Sequence, residues 1–243
     1  LRKMIGLLRH RGPDASGIYT DAIAGLAHAR LSIIDLSNTG IQPIHNEDKT
    51  LWIVFNGEIF NYPELKKDLV EKGHRFYTQT DTEVLIHLYE DKGMDMFSDL
   101  NGQFALAIWD TKQKRLILAR DRVGIRPLFY HMSNGRLVFG SEIKSLFADT
   151  GISRNIDPGV LSDIFTTWTP IDSGTPFQGI NQIPPGNLAE YSKQGLIVRP
   201  YWALDFNSPK DDEYLFDESV DELNSLLLDA SRIRLRADVP VGA

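Results

Sequence analysis

Arg30 interrupts the otherwise apolar run "LAHARLSIID", and Asp81 opens the helical pattern "TDTEVLIHLYE". A guanidinium on an apolar strand needs an anion or solvent. The commoner arrangement is exposure, but a charge-assisted fork to a carboxylate is worth about 1.5–3 kcal/mol. An Asp in the first helical turn gains ~0.3–1 kcal/mol from the helix dipole without any ligand, yet the same carboxylate can receive an ammonium. Together, Arg30 and Asp81 match the two charges of a free amino acid, if the fold joins them. A third stretch, Asn56-Gly57-Glu58, follows the apolar run "LWIVF". Asn-Gly is a common hairpin turn, but here Asn61-Tyr62-Pro63-Glu64 follows at once and signals a helix, so the triplet is expected to end a strand and lead into that helix. A side-chain amide and a backbone N–H pointing the same way form an oxyanion hole, and removing one such donor raises a barrier by ~2.7–4 kcal/mol. Glycine there lets backbone approach a ligand.

Other motifs are weaker. "RHRGPD" (9–14) and "RDRVGIRPLFY" (120–130) read alone as charged turns with Gly and Pro. His10, His28, His45 and His87 show no metal-ligand spacing, so no metal is expected. Neither a G-x-S-x-G elbow nor a phosphate-binding G-x-x-x-x-G-K-[ST] loop is present. The sequence has no cysteine, which excludes disulfides and thiolate sites.

Short β-type runs must position these residues: "GIYTD", "LAHARLSIID", "LWIVFNG", "FALAIWD", "RLILARDR", "PLFYHM", "RLVFGS" and "LAEYS". The polar "TKQK" and Ser133-Asn134-Gly135 join neighbouring runs as hairpins, so a largely antiparallel sheet is expected. One helix is predicted from Asn61 to Gly73 with Glu64 as a capping partner and Leu65 and Leu69 on one face. A second runs from Thr80 to Gly93, with Glu83 as capping partner and Val84, Leu85, Leu88 and Tyr89 buried. A weaker one follows Asp157-Pro158. After Trp202 the polar, acidic "ALDFNSPKDDEY" reads as a linker. An amphipathic helix with Val220, Leu223, Leu227, Ala230 and Ile233 on one side follows it and needs a partner surface.

With 243 residues and 42% apolar content the chain can bury a sizeable core. A net charge of −7 without a Lys/Arg run disfavours nucleic acid and anionic membranes as partners. No apolar stretch spans a bilayer and "LRKMIGLLRHRGPD" lacks a signal-peptide core, so a cytoplasmic location is expected. Leu1 and the apolar, strand-like "RLRADVPVGA" make both ends look cut.

Taken in order, "RHRGPD", "ARLSIID", "FNGEIFN", "TDTEV", "GQFALAIWD" and "ARDRVGIRPLFY" resemble the class II glutamine amidotransferase domain, over about residues 1–202. "RLRADVPVGA" is similar to the segment before the ATP-pyrophosphatase loop of glutamine-hydrolysing asparagine synthetases. This favours that family over glucosamine-phosphate synthase or the amidophosphoribosyl transferase. The resemblance implies an α+β N-terminal-nucleophile hydrolase sandwich, two stacked antiparallel sheets between helical layers. It divides the chain into a glutaminase domain (1–202) lacking its N-terminal strand, a linker (203–215) and the start of an ATP-dependent synthetase domain (216–243). It implies a glutamine site of Arg30, on the α-carboxylate, with Leu31, Ser32, Ile33, Ile34, Asn56, Gly57, Glu58 and, on the α-amine, Asp81. Asn56 and Gly57 form the oxyanion hole. The family nucleophile is an N-terminal cysteine, expected on a segment ahead of Leu1, so the residues given are expected to hydrolyse nothing alone. The implied parent hydrolyses glutamine to glutamate and ammonia. It then amidates aspartate through β-aspartyl-AMP with ATP and Mg²⁺, cofactors of the largely absent second domain and not of the first, and a homodimer is compatible with it. The alternatives are a β-lactam synthetase-like protein whose amidotransferase domain does not hydrolyse glutamine, and a glutamine-binding module.

Overall fold

The alternation within "FALAIWD" decides the layering. Phe104, Leu106 and Ile108 join one buried cluster with Leu69, Val84, Leu85 and Leu88, whereas Ala105, Ala107 and Trp109 join another with Leu26, Leu128 and Ile183. Successive side chains of a strand point to opposite faces, so this strand must carry helices on one side and more sheet on the other. In the computed structural model, which describes residues 1–206 and 216–242, it does. The order among the described residues is α1 (Arg2–Leu8), β1 (Ala15–Thr20), β2 (Gly25–Arg30), β3 (Ile44–His45), β4 (Leu51–Ile59), α2 (Tyr62–Glu71), α3 (Asp81–Lys92) and β5 (Gly102–Asp110). There follow β6 (Arg115–Arg120), β7 (Phe129–Ser133), β8 (Arg136–Gly140), α4 (Ile143–Leu146), α5 (Pro158–Thr167), β9 (Ile180–Gln182), β10 (Asn187–Ser192), β11 (Gly195–Pro200) and α6 (Phe216–Ile233).

A six-stranded antiparallel sheet runs in the order β11-β10-β6-β5-β4-β3, with α2 and α3 over one face. The other face meets a second layer in two pieces, the pair β1-β2 and the three-stranded β8-β7-β9. Leu26 of β2 and Tyr130, Leu137 and Phe139 of β7 and β8 pack on the same cluster, where each fully buried Leu or Phe contributes ~1.5–3 kcal/mol. A cavity of about 1120 Å³ lies between the two pieces, lined by Ala27, Val54, Asn56, Ala107, Val138 and Phe139 among others. Helices α1 and α4 pack beside β2 and β8. The architecture is the α+β sandwich of stacked antiparallel sheets and helices implied by the resemblance.

Several local expectations change. Asn56-Gly57-Glu58 does not end its strand: β4 pairs with β5 through Ile59, with Gly57 opposite Phe104 and Glu58 opposite Gln103. The two strands approach so closely that a Cβ on residue 57 would lie 2.0 Å from the Gln103 carbonyl oxygen, which only glycine avoids. "ARLSIID" leaves the sheet at Arg30, and 31–37 forms a loop. Thr80 caps α3 by accepting the Glu83 N–H at 3.3 Å, as expected, but Asn61 does not cap α2. Its amide instead bridges the turn before β5, donating to Asp99 O at 2.9 Å and accepting from Asn101 N at 3.0 Å. The short α1 has no strong periodicity to announce it. Most of the expected linker, 207–215, lies outside the described residues, as does Ala243. The apolar run 234–242 is irregular and not a strand, while α6 leaves Leu223 and Leu227 exposed.

Candidate active site

Strand β3 is short and pairs only with Trp52 and Ile53, which leaves the rest of the β4 edge open. On that edge the Phe55 N–H donates to Gln42 Oε1 at 2.6 Å and the Ile59 N–H donates to Asp81 Oδ2 at 3.0 Å. Strand N–H groups alternate in direction, so the Gly57 N–H lies on the same edge between them. The Asn56 side chain adds a donor: its Nδ2 is buried without a hydrogen-bond partner. An unpaired buried donor costs ~1–3 kcal/mol, so a group of this kind calls for a ligand acceptor.

These donors face a cavity of about 290 Å³, whose lining includes Arg30, Ile34, Asn56, Gly57, Glu58 and Asp81, at the small end of ligand pockets. Leu31 and Ile33 also line it, whereas Ser32 does not; its N–H instead donates to Asp14 Oδ2 at 2.8 Å. The fold therefore gathers eight of the nine residues expected at the site from three separate stretches.

Both charges are held in unusual states. Arg30 is 5% exposed, and among the described residues it has no carboxylate within ion-pair distance. Its guanidinium donates to the carbonyls of Ser37 at 2.8 Å, Ile34 at 3.1 Å and Asp35, which shapes the loop but leaves the positive charge without a counter-ion. Asp81 is also 5% exposed. Burial, helped by the neighbouring Glu58 carboxylate, pushes it up to about 7 against the opposing hydrogen bond from Ile59. A buried carboxylate that tends to hold a proton and a buried guanidinium without an anion are both relieved by one zwitterion.

His28, two residues before Arg30 on β2 and hence on the same strand face, lines both cavities. Burial depresses it to about 4, so the ring is neutral, and its Nδ1 is buried without a partner. The period-two spacing to Arg30 was the signal for it. Farther along α3, ligand atoms of His74, His87 and Glu90 lie within 4.8 Å of one another, a grouping that helical-turn spacing does not reveal because His74 precedes the helix. Carboxylates already engage both rings, with His87 Nδ1 2.8 Å from Glu90 Oε2 and His74 Nε2 2.8 Å from Asp91 Oδ1, and none of the three lines the cavity.

A family model described as "Glutamine amidotransferase domain" matches residues 1–202. Asparagine synthetase [glutamine-hydrolyzing] 3 of Bacillus subtilis (strain 168) is 38% identical over 242 residues, covering 98% of this chain and 39% of that protein. Amidase chyE of Penicillium rubens is 38% identical over 243 residues, 99% of this chain and 35% of that protein. The chain thus spans under two fifths of the length of these relatives. Among solved structures, the glutamine phosphoribosylpyrophosphate amidotransferase from B. subtilis, complexed with ADP and GMP, superposes with a TM-score of 0.61 at 21% identity. That alignment covers 83% of this chain and 46% of that one, and it shares the fold. An open strand edge with an unpaired amide, between a buried acid and a buried base, is thus carried by a chain that belongs to the glutamine amidotransferase family.

Proposed function

We propose that the 290 Å³ cavity binds glutamine. In this reading the α-amine meets Asp81, the α-carboxylate meets Arg30, and the side-chain amide carbonyl lies between Asn56 Nδ2 and the Gly57 N–H. Attack on that carbonyl moves charge onto its oxygen, and two donors fixed by the sheet stabilise it without reorganising. The nucleophile is proposed to be a cysteine thiolate of the full-length protein, since this sequence has no cysteine. Collapse of the tetrahedral intermediate expels ammonia and leaves a thioester, which water converts to glutamate. The parent is proposed to be a glutamine-hydrolysing asparagine synthetase, with ATP, Mg²⁺ and aspartate used by the domain that follows residue 216.

The observation that carries the reading is the unpaired Asn56 amide beside the Gly57 edge. Equal identity, 38%, to an asparagine synthetase and to an amidase supports a second reading for the acceptor half alone, in which the amidated substrate is not aspartate. The test is glutamate release by the full-length parent with and without replacement of its N-terminal cysteine. Loss of release supports the glutaminase half, and release unaffected by the replacement overturns it. Asparagine formation from aspartate, ATP and glutamine decides the acceptor.

A further inference from the structure

Residues 234–238, which come after α6, touch the loop 31–37 of the cavity and the junction between β4 and α2. Asp238 brackets the loop 31–37 at two points: its Oδ2 accepts the Asp35 N–H at 2.7 Å, and its own N–H donates to Ile33 O at 2.9 Å. Arg236 reaches the junction behind Asn56-Gly57-Glu58, donating to Phe60 O and forking onto Glu64 at 2.6 and 2.7 Å. Arg234 stacks 4.7 Å from the Phe60 ring centroid.

The Asp238 contact falls where the loop most needs support. Asp35 has φ 55°, a left-handed conformation costly for a residue with a side chain. Its carboxylate is tied to Ser37 and to the Gln79 N–H at 2.8 Å, and Arg30 holds its carbonyl from the cavity side. The remaining backbone group, the N–H, is the one Asp238 accepts. The loop is therefore clamped between Arg30 inside the cavity and Asp238 outside it. The half-exposed Arg236–Glu64 pair adds little energy but fixes where the segment lies. Ordinary packing of a tail on the nearest surface would not need paired donor and acceptor bonds to the backbone of a strained loop 203 residues away.

We propose that 234–238 is a latch by which the part of the protein that follows the amidotransferase domain sets the glutamine-binding loop, with Asp238 as its positioning residue; this rests on the glutamine reading above. A change in the following domain that draws the segment away would loosen Ile33 and Ile34 and weaken glutamine binding. By linkage, glutamine would in turn hold the segment in place.

The test uses the full-length parent and compares D238A with D238N, which keeps an oxygen for the Asp35 N–H. The glutaminase KM for glutamine is expected to rise at least about fivefold in D238A with kcat within about twofold, and D238N is expected to recover most of the loss. Unchanged KM in D238A, including a fall of apparent kcat at unchanged KM in both variants as folded protein is lost, overturns the latch. Amide hydrogen exchange at Asp35 gives a readout that needs no turnover: D238A should expose it and D238N should not, and equal protection in D238A and the parent also overturns the proposal. Failure of the parent itself to release glutamate, with the exchange result intact, would count against the glutamine reading alone.

Discussion

Replacing Asp81 by Asn should strengthen the fold and weaken the site together. The carboxyl is raised from an ordinary 3.8 to about 7 because it is buried. Its folded form thus keeps a proton that the unfolded chain releases, so stability is highest below about pH 4, falls between about pH 4 and 7, and stays low above. The gap of about three pH units, at 1.36 kcal/mol each, makes the ionised group unfavourable by on the order of 4 kcal/mol. D81N keeps an oxygen for the Ile59 N–H and cannot ionise. Its unfolding temperature at pH above about 7 should exceed the parent's by up to about 8–16 °C, shrinking towards nothing near pH 4. The ligand's ammonium loses a charge-assisted contact worth about 1.5–3 kcal/mol, which raises KM for glutamine roughly 10- to 150-fold. The parent's own KM should climb by up to about tenfold per pH unit below about 7, as Asp81 takes up its proton, and level off near that of D81N, which stays flat. Thermal unfolding at two pH values and glutaminase kinetics of the full-length protein measure both effects. A variant no more stable at high pH, or one that binds glutamine as well as the parent, refutes this account of Asp81.

Removing the unpaired donor in N56A should lower kcat for glutamate release by about 100- to 1000-fold with little change in KM and little change in the unfolding temperature, since its buried Nδ2 makes no hydrogen bond to the protein. G57A should destabilise the sheet by at least ~1–3 kcal/mol, seen as an early unfolding midpoint, because its Cβ would meet backbone 2.0 Å away. Burial alone would depress His87, but the Glu83 carboxylate 3.7 Å away and the hydrogen bond that the ring makes to Glu90 outweigh it and raise the ring to about 9. The stability its charge supplies should be fully present below about pH 6.5 and disappear as pH rises through about 9, and thermal unfolding of H87F should lack that high-pH decline.

The strands and their hairpin pairing were legible because they rest on local pattern, while the sandwich layering came from the family resemblance. "FALAIWD" and "RLILARD" announce an antiparallel pair, and Thr80 with Glu83 announces the start of α3 through a capping bond three residues long. The site charges were legible because of where they stand: an Arg in an apolar strand and an Asp in the first turn of a helix. What depended on distant contact was not. Asn61 looked like a helix cap, but its amide was claimed by backbone groups near residue 100, which no local rule weighs. The Asn56 triplet looked like a strand end because a helix signal follows it at once; close packing against Gln103 and Phe104 instead makes its glycine a requirement of strand pairing. Asp238 carried no signal, since its partner lies 203 residues away.

Many buried polar groups in this protein are fully satisfied by backbone partners, and a few that line the 290 Å³ cavity are not. Arg120 and Asp121 stand in a motif as charged as "ARLSIID", yet both are saturated. Arg120 donates to the carbonyls of Gly124, Arg126 and Ile183, while Asp121 accepts from the N–H groups of Phe104, Ile125 and Arg126. Glu83 likewise accepts from Tyr77 N, Thr78 N and the Thr78 hydroxyl. Such groups hold loops against the sheet and leave nothing for a ligand. Around the 290 Å³ cavity two groups differ: Asn56 Nδ2 has no partner and Asp81 tends to hold a proton, while Arg30, held like Arg120 by carbonyls, has no carboxylate within ion-pair distance. An evolved core removes such defects where it can, because each weakens the fold. Their convergence on one open strand edge, where β3 stops short, is best explained by a ligand that satisfies all of them at once. In the reading proposed above, glutamine would do so with three groups: an ammonium for Asp81, a carboxylate for Arg30 and a carbonyl for Asn56 and Gly57.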